Sequence, residues 1–188
     1  MIVGAILTQN TAWSNVEKAV ISLKKANALS SPSKMKRAGV KRLSRLIKPA
    51  GFYNLKAKRL ANFLSFLSAR YGSSLGKLSR LKTDRLREEL LGINGIGPET
   101  CDSILLYAFH RPVFVVDAYT KRIFSRLRLI SGGADYDEIQ AFFMRSLPQD
   151  HRLFNEYHAL IVRHAKERCK VKPICAGCPL SNKNLPCK

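Results

Sequence analysis

Leu91-Gly92-Ile93-Asn94-Gly95-Ile96-Gly97-Pro98-Glu99-Thr100 sits between two helical segments. Leu86, Leu90 and Leu91 place an apolar face on the segment before it. Gly95 and Gly97 can take positive φ and let a ligand approach the backbone closely. Pro98 suits the first turn of the next helix, whose free N–H groups can hold a phosphate. Ile93 and Ile96 are expected to pin the loop onto a core. The pattern is helix, hairpin, helix.

Outward from the hairpin, the whole chain is basic. Its 188 residues carry 33 Lys and Arg against 13 Asp and Glu, a formal charge of +20. Solubility needs a net charge of only about 2–8. The basic residues are spread along the chain, so a folded basic surface facing a polyanion is expected. Nucleic acid is the favoured partner, and a hairpin of this kind would grip a DNA strand by its backbone without reading sequence. An anionic membrane surface is the lesser option. No apolar run approaches the ~18 residues of a membrane span. Met1 to Leu7 lacks the basic start and cleavage pattern of a signal peptide. A cytoplasmic, nucleoid-associated protein is expected.

Helical periodicity dominates. Val16, Ala19, Val20 and Leu23 share one face, and Leu60, Leu64 and Leu67 mark a helix over about 53–71. Ile139, Phe142, Phe143 and Leu147 form a further face, with Asp135 or Asp137 at its start. Leu153, Tyr157, Leu160 and Ile161 form the last. The one β-rich run, Val113 to Val116, reads as an extended connector. The fold class expected is all-α, with eight to ten short helices.

Asp117 ends that connector and precedes a helical pattern, so a local role as helix N-cap is available to it. It lies 18 residues beyond Glu99. Cys169, Cys175, Cys178 and Cys187 crowd the end of the chain with gaps of 5, 2 and 8 residues. In an intracellular chain such a cluster reads as a metal or iron–sulfur site. Four thiolates can hold a [4Fe–4S] cluster or zinc. Zinc sites of that type usually carry two close Cys-x2-Cys pairs, and only one is present, which favours the cluster. Cys101 reads as a buried thiol. His110, His151, His158 and His164 form no metal pair and read as surface or capping residues.

Taken in order, these stretches resemble the endonuclease III-like DNA glycosylases, the helix-hairpin-helix-Gly/Pro-Asp superfamily. Leu7-Thr8-Gln9-Asn10-Thr11 is similar to the family's glutamine-bearing segment. Gly51-Phe52-Tyr53-Asn54-Leu55-Lys56-Ala57 is close to its Gly-aromatic turn. Leu91 to Thr100 is similar to its hairpin, Val115-Val116-Asp117 to its aspartate motif, and Cys169 to Cys187 to its iron–sulfur loop. The outer cysteine gaps depart from the common 6, 2, 5 spacing.

The resemblance implies two helical lobes. Residues 8–110 would form a six-helix lobe carrying the hairpin. Residues 111–188, with the N-terminal few residues, would carry the catalytic-aspartate helix, the last helices and the iron–sulfur loop. A helical stretch that precedes the glutamine segment in relatives is expected to be absent, because Gln9 lies so close to Met1. The implied activity is base-excision repair of double-stranded DNA by a monomer that extrudes a damaged base and cuts its N-glycosidic bond. Asp117 would be the catalytic carboxylate, stabilising positive charge on the sugar. Glu99 stands where bifunctional relatives hold a nucleophilic lysine, so water would be the nucleophile. Glu99 is also read as supplying negative charge near the base, against a plain role at a helix start. The hairpin and aspartate stretches most resemble the branch related to 3-methyladenine DNA glycosylase III, which implies an alkylated purine as substrate.

Gln9 would fill the space left by the extruded base and Phe52 would wedge beside its partner; the plainer roles are a cap and a core residue. Gly95, Gly97 and Lys121 would meet the DNA backbone, and Lys121 is also weighed as an alternative amine nucleophile. Tyr119 and Trp13 would border the base pocket, although a lone tryptophan on an amphipathic helix is more often core. Competing readings are a glycosylase for mismatched thymine, uracil or an oxidised base, a non-catalytic helix-hairpin-helix DNA-binding protein, and an RNA-binding zinc protein.

Overall fold

The computed structural model describes residues 1–180. Among these the chain forms ten α-helices, one short 3-10 turn and no strand. They fall into two compact units that divide after Phe109. The Cys187 assignment lies outside the described residues.

The first unit holds α1 (Ile2–Thr8), α2 (Trp13–Lys25), α3 (Pro32–Leu46), a 3-10 turn (Lys48–Ala50), α4 (Tyr53–Tyr71), α5 (Leu75–Ser79), α6 (Thr83–Leu91) and α7 (Pro98–Phe109). Ser31 starts α3 by accepting from Lys34 N at 3.2 Å, with Pro32 in the first turn. No apolar periodicity announces α3, because Lys34, Lys36, Arg37, Lys41, Arg42 and Arg45 are exposed around two large buried apolar side chains, Met35 and Leu43. Gly39, at φ 72°, kinks it. The α4 expectation holds to its ends. Gly72 closes the helix in the left-handed conformation, with Gly72 N on Ser68 O and Ser73 N on Leu67 O. Leu60, Leu64 and Leu67 are buried, each contributing about 1.5–3 kcal/mol.

The expectation that the first few residues join the second lobe is not met. Ile6 and Leu7 are fully buried, and α1 packs on α2, α4 and α7 within the first unit.

The second unit holds α8 (Ala118–Arg126), α9 (Tyr136–Ser146) and α10 (His151–Glu167). Val113 to Val116 is extended and buried, as read. Phe114 stacks on Phe143 at 4.0 Å between centroids and meets Phe154 edge-on at 5.5 Å. Asp135 rather than Asp137 caps α9, and Glu138 closes a reciprocal capping box. On α10 the buried stripe is Phe154, Ile161 and Ala165; Leu153 and Leu160, expected inside, are exposed. The large Phe154 ring claims the aromatic core and turns its neighbours outward. No helix among the described residues is long and apolar enough to cross a membrane.

Candidate active site

The hairpin joins α6 to α7 as expected, with Ile93 and Ile96 buried beneath it. Positive φ falls on Gly95 alone, at 95°; Gly97 does not share it. A Cβ on Gly95 would also lie 2.3 Å from Arg59 Cγ, whereas one on Gly97 would meet nothing within 4 Å. Gly95 is therefore demanded by the fold, and Gly97 leaves the hairpin rim bare. Glu99 is exposed in the first turn of α7.

Gln9 follows α1 and is tied to this hairpin. Its Nε2 donates to Gly95 O at 3.0 Å and to Thr100 Oγ1 at 2.8 Å, and its Oε1 accepts from Arg59 Nη1. Arg59 belongs to a row on α4 at three-residue spacing. Lys56 Nζ donates to Leu7 O at 2.9 Å and Ala50 O at 2.7 Å, and Asn62 Nδ2 donates to Asn94 O at 2.9 Å. Lys56 is fully buried, and burial with the nearby Arg59 charge pulls its pKa down. The row braces the turn before Gln9, the turn before Phe52 and the hairpin.

Phe52 and Trp13 both depart from a core role. Phe52 is 67% exposed at the left-handed start of α4. Trp13 is 46% exposed in the first turn of α2, its indole N–H on Glu17 and its ring against Gly4.

In the second unit Asp117 caps α8. Its Oδ1 accepts from Thr120 N at 2.7 Å and from the Thr120 hydroxyl at 2.9 Å. Its Oδ2 lies 3.5 Å from His158 Nε2. Burial alone would raise the carboxyl pKa. His158, through hydrogen bonding and charge, and the two Thr120 donors outweigh it and hold the pKa below its ordinary value. The site thus keeps a largely buried carboxylate ionised. Tyr119 is half-buried, with the Arg122 guanidinium 5.1 Å from its ring centroid. Lys121 Nζ donates to Ala134 O at 2.7 Å.

Four partners escaped the sequence reading: Arg59, Thr100, Thr120 and His158. A signal for His158 existed. Phe154, His158, Ile161 and Ala165 share one helical face, so the histidine sits on the inward stripe of α10 rather than on its surface.

Arg122 and Arg126 of α8 reach the cysteine segment. Arg122 Nε donates to Cys169 O at 2.9 Å, and Arg126 Nη1 approaches Cys169 Sγ at 3.3 Å. Cys178 Sγ lies 3.6 Å from His164 Nε2, and Cys169 and Cys178 line one small recess. Among the described residues no three metal-ligating side chains converge. Cys101 is buried as expected, and its thiol pKa is pushed up to about 12 by burial and then by Asp102.

Residues 3–149 match the HhH-GPD superfamily of base excision DNA repair proteins. The chain belongs to this superfamily. A Methanocaldococcus jannaschii protein named provisionally as a DNA repair glycosylase is 52% identical over 184 residues, covering 96% of this chain and 82% of that protein. Endonuclease III of Thermotoga maritima is 30% identical, covering 97% and 80%. The structure of the H. pylori 3-methyladenine DNA glycosylase bound to 1,N6-ethenoadenine superposes with a TM-score of 0.78 at 31% identity, covering 88% of this chain and 83% of that one. An endonuclease III–DNA complex superposes at 0.80 with 21% identity and shares the fold, covering 95% and 78%. This HhH-GPD chain is accordingly an enzyme of the DNA glycosylase family, and the recognition made from its motifs holds.

Proposed function

We propose that this chain is a monofunctional DNA glycosylase that removes alkylated purines from duplex DNA. The observation that carries the reading is the largely buried Asp117 carboxylate at the start of α8, held by Thr120 beside His158, with Glu99 rather than lysine in the first turn of α7. A carboxylate at Glu99 cannot attack a sugar as an amine. The Lys121 ammonium is held by a backbone carbonyl, which supports a binding or structural role over a nucleophilic one.

In this mechanism the C1′–N bond breaks and its electron pair leaves with the base. Positive charge develops on the sugar, and the Asp117 carboxylate stabilises it. Water adds to C1′ and gives up its proton to Asp117 or to solvent. A cationic alkylated purine is a good leaving group and needs little protonation. Tyr119 and Trp13 are assigned to the base pocket, with Glu99 favouring a cationic base. The hairpin at Gly95 and Gly97, with Lys121, grips the strand; Gln9 and Phe52 enter the stack. The neighbouring structures with DNA and with a modified base support DNA as the partner.

Cys169, Cys175, Cys178 and Cys187 would hold a [4Fe–4S] cluster, or less favourably zinc. The donor set suits the group, and the small recess shared by Cys169 and Cys178 is consistent with it. Such a cluster would act by pinning the loop that Arg122 and Arg126 already tether to α8.

A single-turnover panel tests the reading. Duplexes carrying 3-methyladenine, 7-methylguanine, uracil, thymine opposite guanine and thymine glycol are read with and without alkali. Breaks at alkylated purines only after alkali are expected. Breaks without alkali would overturn the monofunctional assignment. Excision of another lesion alone would overturn the substrate.

A further inference from the structure

Gln9 is restrained from three directions. Both donors of its amide are used by the hairpin and α7, and its oxygen accepts from Arg59. A glutamine free in solvent loses rotamer freedom on entering a DNA stack; one already held loses less. We infer that Arg59 is a positioning residue that presents Gln9 to the DNA, an inference resting on the reading of Gln9 as the residue that fills the vacated space.

Three observations fit Arg59 to this task. Its aliphatic stem lies across Gly95, where any Cβ would collide with it. Its Nε is buried without a hydrogen-bond partner among the described residues, a desolvation cost accepted for the position. Its neighbours in the row, Lys56 and Asn62, fix the turn before Gln9 and the hairpin at Asn94. Arg59 therefore lies along the hairpin with its stem and holds Gln9 with its guanidinium, while Gln9 itself bonds the hairpin at Gly95 O. Thr100 completes the seat from the first turn of α7.

The competing role for Arg59 is a phosphate contact. Full-length protein is titrated with a duplex holding a tetrahydrofuran abasic analogue opposite 2-aminopurine, reading affinity, fluorescence change and salt dependence. Gln9→Ala and Arg59→Met are each expected to weaken binding about tenfold, and the double variant no further than Gln9→Ala alone. The slope of log affinity against log salt stays unchanged in Arg59→Met, and Arg59→Lys does not rescue. Thr100→Val removes only a hydroxyl and guards against misfolding; its effect is expected to vanish in the Gln9→Ala background. Additive losses, with the salt slope reduced by about 1, make Arg59 a phosphate contact and overturn the proposal. No effect of Gln9→Ala removes the reading of Gln9 itself, and the role of Arg59 with it.

Discussion

Gln9 and Asp117 are both polar side chains assigned to the reaction, and they are held in opposite ways. Gln9, in the first unit, is a neutral amide gripped by groups 50, 86 and 91 residues away in sequence. Asp117, in the second, is an anion whose close hydrogen bonds come from its own helix, through Thr120 three residues on, while His158 leads in keeping it ionised. His158 adds a single approach from α10. A helix N-terminus is a ready-made anion site, so the aspartate needs little tertiary help to be placed. The glutamine has no such local support, and its geometry depends on the packing of α1, α4 and α7. The carboxylate is anchored locally, whereas the glutamine is anchored by distant helices.

This contrast predicts that the two sites fail differently. Asp117→Asn is expected to lower the single-turnover excision rate by about 10³-fold or more. Its melting temperature should fall only slightly, because asparagine keeps the helix cap and loses only the contribution of the charge. A large loss of stability with little loss of rate would reverse the contrast. Gly95→Ala should do the opposite. With φ at 95° and Arg59 against the new Cβ, it is expected to cost about 1–3 kcal/mol in denaturant titration. Gly97→Ala, which meets no protein atom, should leave stability intact and weaken DNA binding.

His158→Ala tests the long-range support that Asp117 has among the described residues. The folded state holds the Asp117 pKa below its unfolded value. Its stabilising contribution is therefore complete above the unfolded pKa and is lost as pH falls through the folded one. Without His158 the folded pKa rises, so the acid limb of the excision rate should move to higher pH. An unmoved limb would leave Thr120 as the sole support. The smallest effect is expected at Asp135→Ala, whose side chain serves the start of α9. Loss of its capping box should cost about 1 kcal/mol in thermal unfolding and leave excision per folded molecule unchanged.

The same contrast explains what could be read from the sequence. Asp117 as a cap, the hairpin with Ile93 and Ile96 inward, and α4 with its glycine stop all follow from local chemistry within a few residues. α3 did not, since its exposed basic residues bury the apolar pattern. Leu153 and Leu160 lie outside because an amphipathic face of α10 has two plausible centres until Phe154 meets Phe114, itself stacked on Phe143. Gly95 and Gly97 can both take positive φ and of the two only Gly95 does, since a glycine's freedom does not say whether it is used. Arg59 lies in no motif and Thr100 only closes the hairpin stretch, as their role toward Gln9 exists only once distant helices meet.

The central claim is that Asp117 and water, with no lysine, perform the cleavage. Borohydride added during excision tests it most directly, because it reduces any Schiff base between protein and sugar to a permanent link. The account predicts excised base, an alkali-labile abasic strand and no protein–DNA adduct on a denaturing gel. An adduct formed in step with base release would contradict it.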